Sequence, residues 1–349
     1  MTTCRFLENL TLASLISPFP KDDFRTHYWE QKPLIVPMRD PDFYGDLFTL
    51  KDFDAAIARA PDHVNTANAG ANKKGVAHRG NTVKGIEAVL ADMRDGHTLM
   101  LDRLNECDPK LGLFCRLLGP ELGSSFQTNL YLTPPHGQGS FPHWDAAECG
   151  EVPSLHITFG VRPFFLQELL GAAIKAAVQR DERWRTALPL GFMHGQRERV
   201  VRRAMAALRE ITDETFLGAV VDQFREEIVE TFPLDVSGQV EDFYQPAPIG
   251  LGDSVGPRRG IVYQVHVDND SVRLNYGARS IVFPGFFQDA LNFSLRTPAF
   301  AVRDLPGELQ DEERVAFIER LMQEGLVVRM QDRKTEVVST EKGNAAFHS

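Results

Sequence analysis

The chain has 349 residues, 43% of them hydrophobic and 25% charged, ordinary proportions for a globular protein and enough length for two or three modest domains. A formal net charge of −10 disfavours generic binding to a phosphate backbone, which needs clustered Lys and Arg. No run approaches the ~18 apolar residues of a membrane span. The four cysteines, Cys4, Cys107, Cys115 and Cys149, are widely spaced with no C-x-x-C, which predicts reduced thiols, not a disulfide frame or a zinc cage.

The N-terminus carries Arg5, Glu8, Lys21 and Asp22 around short apolar runs, so no signal peptide is expected and a cytoplasmic enzyme or binding protein is the starting expectation. Residues 1–59 hold short helical patterns broken by prolines, and "PKDDFRTHYWEQKPLIVP" reads as a capped helix followed by a short strand at 34–36. "TANAGANKKGVAHRGN", poor in apolar residues, predicts a mobile loop. "HTLMLDRL" then predicts a strand, "PKLGLFCRLLGPELG" a helix ended by Gly119-Pro120, and "SSFQTNLYLTPP" another strand.

Beyond residue 161 the texture changes. Residues 163–185 and 196–232 are long amphipathic helix patterns, and "RERVVRRAMAALREI" sets Val200, Val201, Met205, Leu208 and Ile211 along one side. Such stripes usually form a core, here a helical bundle or a dimer interface. "FYQPAPIGLGDSVGP" predicts a linker, and "GIVYQVHVDNDSVRLNY" a hairpin around Asp268-Asn269-Asp270. A third strand (RSIVFP), a helix (GFFQDALNFSLRTP), and a last turn, helix and strand complete a unit that suggests a winged helix. Its acidic and basic side chains are about evenly matched, so a protein–protein or interdomain role is favoured over DNA binding.

Chemistry concentrates in "FQTNLYLTPPHGQGSFPHWDAAECGEVPSLHITFGV". His143 and Asp145 form an H-x-D, and residues at i and i+2 of a strand share a face, so both side chains can reach one divalent ion. A 2-His-1-carboxylate triad needs this pair plus one further histidine. With ten histidines about one such triplet arises by chance, and a loop histidine bonded to Asp145 is the plain alternative.

The surrounding residues say more. Asn129, Tyr131, Leu132, Thr133, Pro134, Pro135, Gln138, Gly139, Pro142, His143 and Asp145 closely resemble the signature of the cupin-like jumonji-C oxygenases, in their ribosomal oxygenase branch, with Trp144 in place of the usual Tyr. "SLHITFGV" resembles the strand that follows the third metal ligand in that family, and the likeness extends over about residues 15–330. The resemblance implies an α+β chain in three parts. These are a jelly-roll (double-stranded β-helix, cupin-like) oxygenase domain over 1–162, a helical dimerisation domain over 163–240 and a C-terminal winged helix over 255–332. It also implies Fe(II), 2-oxoglutarate as cosubstrate, and a protein side chain as substrate, with ribosomal proteins the best-attested targets. Asn129, Tyr131 and Thr158 match positions that line the cosubstrate pocket, though ordinary strand packing would also use them.

One part of the pattern is absent. The family carries roughly fifty residues between the H-x-D and the "SLHITFG"-like strand, long against the usual connections within a sheet. That run supplies a basic anchor for 2-oxoglutarate and the third metal ligand. Here the chain passes from "HWDAAE" through "CGEVP" to that strand, so core strands are expected to be missing between 148 and 152. His156, the nearest imidazole, aligns with a downstream strand histidine of the family; recruitment as third ligand is the lesser reading beside a core or cosubstrate-side role. The chain then reads as an impaired Fe(II)/2-oxoglutarate oxygenase, whether a deletion variant of an active enzyme or a degenerate member. A non-catalytic dimeric interaction protein and a cupin holding metal for other chemistry are the alternatives.

Overall fold

The structure, a computed structural model, describes residues 4–36, 43–67, 76–79, 83–135, 151–244 and 247–330. The chain divides into two compact units, Met1–Phe224 and Arg225–Ser349.

In the first unit, helices α1 (Arg5–Glu8), α2 (Leu12–Ile16), α3 (Lys21–His27) and α4 (Leu50–Arg59) precede a sheet. The expected strand at 34–36 does not form: Pro33 and Pro37 flank it, depriving it of ladder donors, and Ile35 stays exposed. Strands β1 (Val64–Ala67) and β2 (Val76–Arg79) pair antiparallel, so the region expected to be a mobile loop contributes an edge strand. Pairing to β1, itself held by β3, outweighs the weak local signal. Helix α5 (Val83–Arg94), β3 (Thr98–Leu101), α6 (Pro109–Leu122), β4 (Ser124–Thr133) and β5 (Ser154–Pro163) follow. All neighbours are antiparallel in the order β2-β1-β3-β4-β5.

Local chemistry explains α6. The Asp108 carboxylate accepts the Lys110 and Leu111 N–H groups at 3.0 Å each, and Pro109 occupies the first turn, where its missing N–H costs nothing. The helix runs through Pro120 instead of ending there, because Pro120 lies in the last turn and Gly123, at φ 55°, supplies the left-handed cap. Leu111, Phe114 and Leu118 bury one face of α6, and the Phe114 ring stacks on Phe159 of β5 with centroids 4.0 Å apart.

Helices α7 (Leu166–Arg180), α8 (Arg197–Ile211) and α9 (Glu214–Glu230) succeed the sheet, and the boundary between the units falls within α9. The helical run expected over 196–232 is broken at Thr212-Asp213, where the Asp213 side chain accepts the Phe216 N–H at 3.0 Å and starts a new helix. Ile211 of the α8 stripe is buried, whereas Val201, Met205 and Leu208 remain about half exposed.

The second unit contains α10 (Gln239–Tyr244), β6 (Ser254–Pro257), β7 (Tyr263–Val267), β8 (Ser271–Tyr276), β9 (Arg279–Pro284), α11 (Gln288–Arg296), β10 (Phe300–Ala301), α12 (Asp311–Gln323) and β11 (Val327–Arg329). The hairpin β7–β8, the strand β9 and the helices α11 and α12 form as their alternation and periodicity predict. The end of the expected linker becomes β6, central in a β10-β6-β11 sheet; β7-β8-β9 is the other. Val272, Leu274 and Tyr276 of β8 point into the core, and the Tyr276 hydroxyl donates to Glu324 at 2.6 Å.

Candidate functional site

Strands β4 and β5 pair without interruption through ten residues, from Ser124↔Pro163 to Thr133↔Ser154. Alternation sorts their side chains onto two faces. Thr128 and Leu130 are fully buried on the α6 side, where Phe126, Leu132, Leu155, Ile157 and Phe159 pack around them. The other face carries Ser125, Gln127, Asn129 and Tyr131, opposed by Arg162, Gly160, Thr158 and His156. The four residues expected near the cosubstrate, Asn129, Tyr131, His156 and Thr158, thus share one face as two directly opposed pairs.

Their contacts differ. Tyr131 and His156 stack, with centroids 4.8 Å apart and 11° between ring planes. The Asn129 Oδ1 accepts the Arg103 backbone N–H at 3.1 Å and the Gln127 Nε2 at 3.2 Å. Arg103 adopts φ 51°, unusual for a residue with a Cβ, just before a 3-10 turn at Leu104–Glu106. That turn is latched to β4, since Asn105 donates its N–H to the Thr128 Oγ1 at 2.7 Å and its Oδ1 accepts the Thr128 N–H at 2.9 Å. At the other end of β4, the Thr133 and Thr98 hydroxyls share a buried hydrogen bond of 3.0 Å.

Turn and strands border a half-open cavity of about 370 Å³, whose lining includes Arg103, Asn105, Gln127, Asn129, Thr158 and Arg162. Two guanidinium groups face one carboxylate there, Glu106, which lies 3.5 Å from Arg103. Such a cavity suits a small anionic ligand, because amide and hydroxyl groups fix its orientation while net positive charge attracts it.

His143 and Asp145, the expected metal ligands, lie outside the described residues. Among the described residues no group of three or more His, Cys, Asp or Glu side chains could hold a metal ion, so the donors there do not by themselves fit the iron implied by the resemblance. Arg162 and Arg103 went unnoticed in the sequence. Arg162 sits at an even spacing from His156 and Thr158 on one strand, so alternation could have flagged it. Nothing local in the sequence signalled Arg103, whose position depends on its left-handed backbone.

No family model matches the chain. It is 33% identical to ribosomal oxygenase 1 of Gallus gallus over 137 residues, 38% of this chain and 23% of that protein. With ribosomal oxygenase 1 of Homo sapiens the identity is 25% over 200 residues, 52% of this chain and 31% of the relative. The chain therefore spans only about a quarter to a third of the length of the curated relatives it matches. The X-ray structure of E. coli ycfD aligns at a TM-score of 0.50 and 14% identity, covering 89% of this chain and 98% of that one. These similarities bear out the resemblance to the ribosomal oxygenases of the jumonji-C family. The fold, α and β elements with antiparallel sheets, is similar to that of ycfD.

Proposed function

We propose that the chain derives from an Fe(II)/2-oxoglutarate-dependent oxygenase of the jumonji-C class acting on a protein side chain, with a ribosomal protein as the candidate substrate, and that its activity is impaired. The observation that carries the lineage is the shared face of β4 and β5, on which Asn129, Tyr131, His156 and Thr158 stand in register. In this reading β1–β5 are part of a jelly-roll, α7–α9 a dimerisation domain, and the unit from β6 to β11 a winged helix. The proposed bounds are 1–162, 163–240 and 255–332. No described helix is long and apolar enough to cross a membrane. A cytoplasmic location belongs to the same proposal.

His143 and Asp145 are the proposed surviving ligands. Bound iron with 2-oxoglutarate supplies oxidation of an unactivated C–H bond in such enzymes. The chain's own residues orient the cosubstrate: the Asn129 amide and the Thr158 hydroxyl offer hydrogen bonds on one cavity wall. Tyr131 and His156 stack as the next opposed pair on the same face of the two strands, beyond the residues that line the cavity. His156 is assigned to this packing, with recruitment as third ligand the alternative.

Impairment is supported by β5. Among the described residues it is paired only to β4 along its ten residues, as expected of an edge left when the strands expected beyond residue 148 are lacking. The test is iron-dependent release of succinate from 2-oxoglutarate by the purified chain. Background-level release is expected; robust turnover would overturn the impairment and favour His156 as ligand. A second reading, a non-catalytic dimeric interaction protein, is favoured by the exposed apolar stripes of α7 and α8: Leu166, Leu170, Ile174, Val201, Met205 and Leu208.

A further inference from the structure

We infer that Arg162, seconded by Arg103, is a relocated carboxylate anchor: the β4–β5 cavity holds a small dicarboxylate between the Asn129–Thr158 pair and the Arg162 guanidinium. The inference rests on the cosubstrate-binding reading of that cavity and assigns the anchoring to residues outside the segment expected to be missing.

Three observations carry it. The first is register: Thr158 opposes Asn129, Arg162 opposes Ser125, and all four side chains share one face. Four residues along a strand span roughly 13 Å, a distance divided between an extended arginine side chain and a ligand of a few carbons. The second is charge. Arg162 is exposed at the cavity with no carboxylate partner for its guanidinium among the described residues, and Arg103 has only Glu106, a solvent-exposed pair of little strength. Among the described residues the cavity therefore keeps one uncompensated positive charge. The third is the neutral end. The Asn129 Oδ1 is already engaged by Arg103 and Gln127, which leaves its Nδ2 group as a donor for a ligand oxygen.

The size favours a small molecule over a peptide. About 370 Å³ lies at the low end of the ~300–1,000 Å³ typical of small-ligand sites. An arginine fork suits a carboxylate, which it can bind through two parallel hydrogen bonds.

The experiment is isothermal titration of the full chain in EDTA with succinate, 2-oxoglutarate and butyrate, so that no turnover is read. Both dicarboxylates should bind, and butyrate should bind about tenfold more weakly, the loss expected for one charge-assisted contact. Arg162→Gln should weaken succinate about tenfold, and butyrate by a similar factor. Arg162→Lys should keep part of the affinity, and Arg103→Gln should give a smaller loss than Arg162→Gln. Circular dichroism melts superimposable on the parent exclude misfolding. Succinate affinity unchanged in Arg162→Gln, absence of dicarboxylate binding to the parent chain, or tighter binding of a glutamate-bearing peptide than of succinate would each overturn the inference. Arg162-dependent binding together with robust iron-dependent turnover would support the subsite while overturning the proposed impairment, so the two proposals fail separately.

Discussion

Tyr131 and His156 face each other across the β4–β5 ladder as directly opposed residues, their rings nearly parallel and 4.8 Å apart. A ring held flat against its cross-strand neighbour is fixed by packing, and an aromatic pair of this kind is worth about 0.5–1.5 kcal/mol beyond its burial. His156→Phe should therefore keep most of the stability, whereas His156→Ala should lose about 1 kcal/mol. Urea unfolding of the two variants checks this, and equal losses would point to a role for the imidazole nitrogens instead.

Asp52 joins two elements through one carboxylate. It accepts the Thr49 N–H at 2.9 Å and the Thr49 hydroxyl at 2.7 Å at the start of α4, and lies 3.0 Å from the Lys110 ammonium of α6. Burial pushes its pKa up, but the Thr49 and Lys110 hydrogen bonds outweigh this and hold it below the usual carboxylate value. A depressed folded pKa gives stability that is complete above the unfolded value of ~3.9 and disappears as pH falls through the folded value. Asp52→Asn should thus destabilise by about 1 kcal/mol at pH 7. The difference from the parent should shrink below about pH 4. Denaturant titrations at pH 7 and pH 3 measure both ends of that window.

Cys115 lies on the buried face of α6, and burial drives its thiol pKa up to about 12, only partly countered by Arg116. Since the thiolate is the reactive form, iodoacetamide at pH 8 should leave Cys115 unmodified in the native protein and label it in guanidinium. Peptide mass mapping reads the outcome, and rapid native labelling would show that α6 opens readily.

The parts legible in the sequence are those whose signal is local and periodic. The alternation of "SSFQTNLYLT" and "SLHITFGV" gives β4 and β5, and the Asn129–Asp145 signature marks the site region. What was not legible depends on partners distant in sequence. β2 exists because β1 is already paired to β3. The cavity escaped because it needs Arg103, on a turn latched to β4 by Asn105, beside Arg162 from β5.

Helices α7 and α8 each turn an apolar stripe to solvent. On α8, Val201, Met205 and Leu208 recur at i, i+4 and i+7 and are each 48–49% exposed. A second copy of the chain is the proposed cover. The parent should sediment as a dimer at micromolar concentration, and Met205→Glu combined with Leu208→Glu should convert it to a folded monomer. A parent that sediments as a monomer would rule out this interface.

Catalytic competence turns on the connection between β4 and β5. If His143 and Asp145 are the only surviving ligands, a bound ion stays mostly hydrated and the cosubstrate is poorly oriented for oxygen activation. Inserting a family-like segment of roughly fifty residues between Glu148 and Cys149 should restore iron-dependent succinate release. It would supply the third ligand and give the β5 edge a partner. His143→Ala in the restored protein should return release to the iron-free background. Arg162→Gln there should weaken 2-oxoglutarate binding far less than it does in the chain without the insert, because the insert brings its own basic anchor. If the insert restores folding but no turnover, the jumonji-C signature in this chain marks ancestry without a recoverable active site.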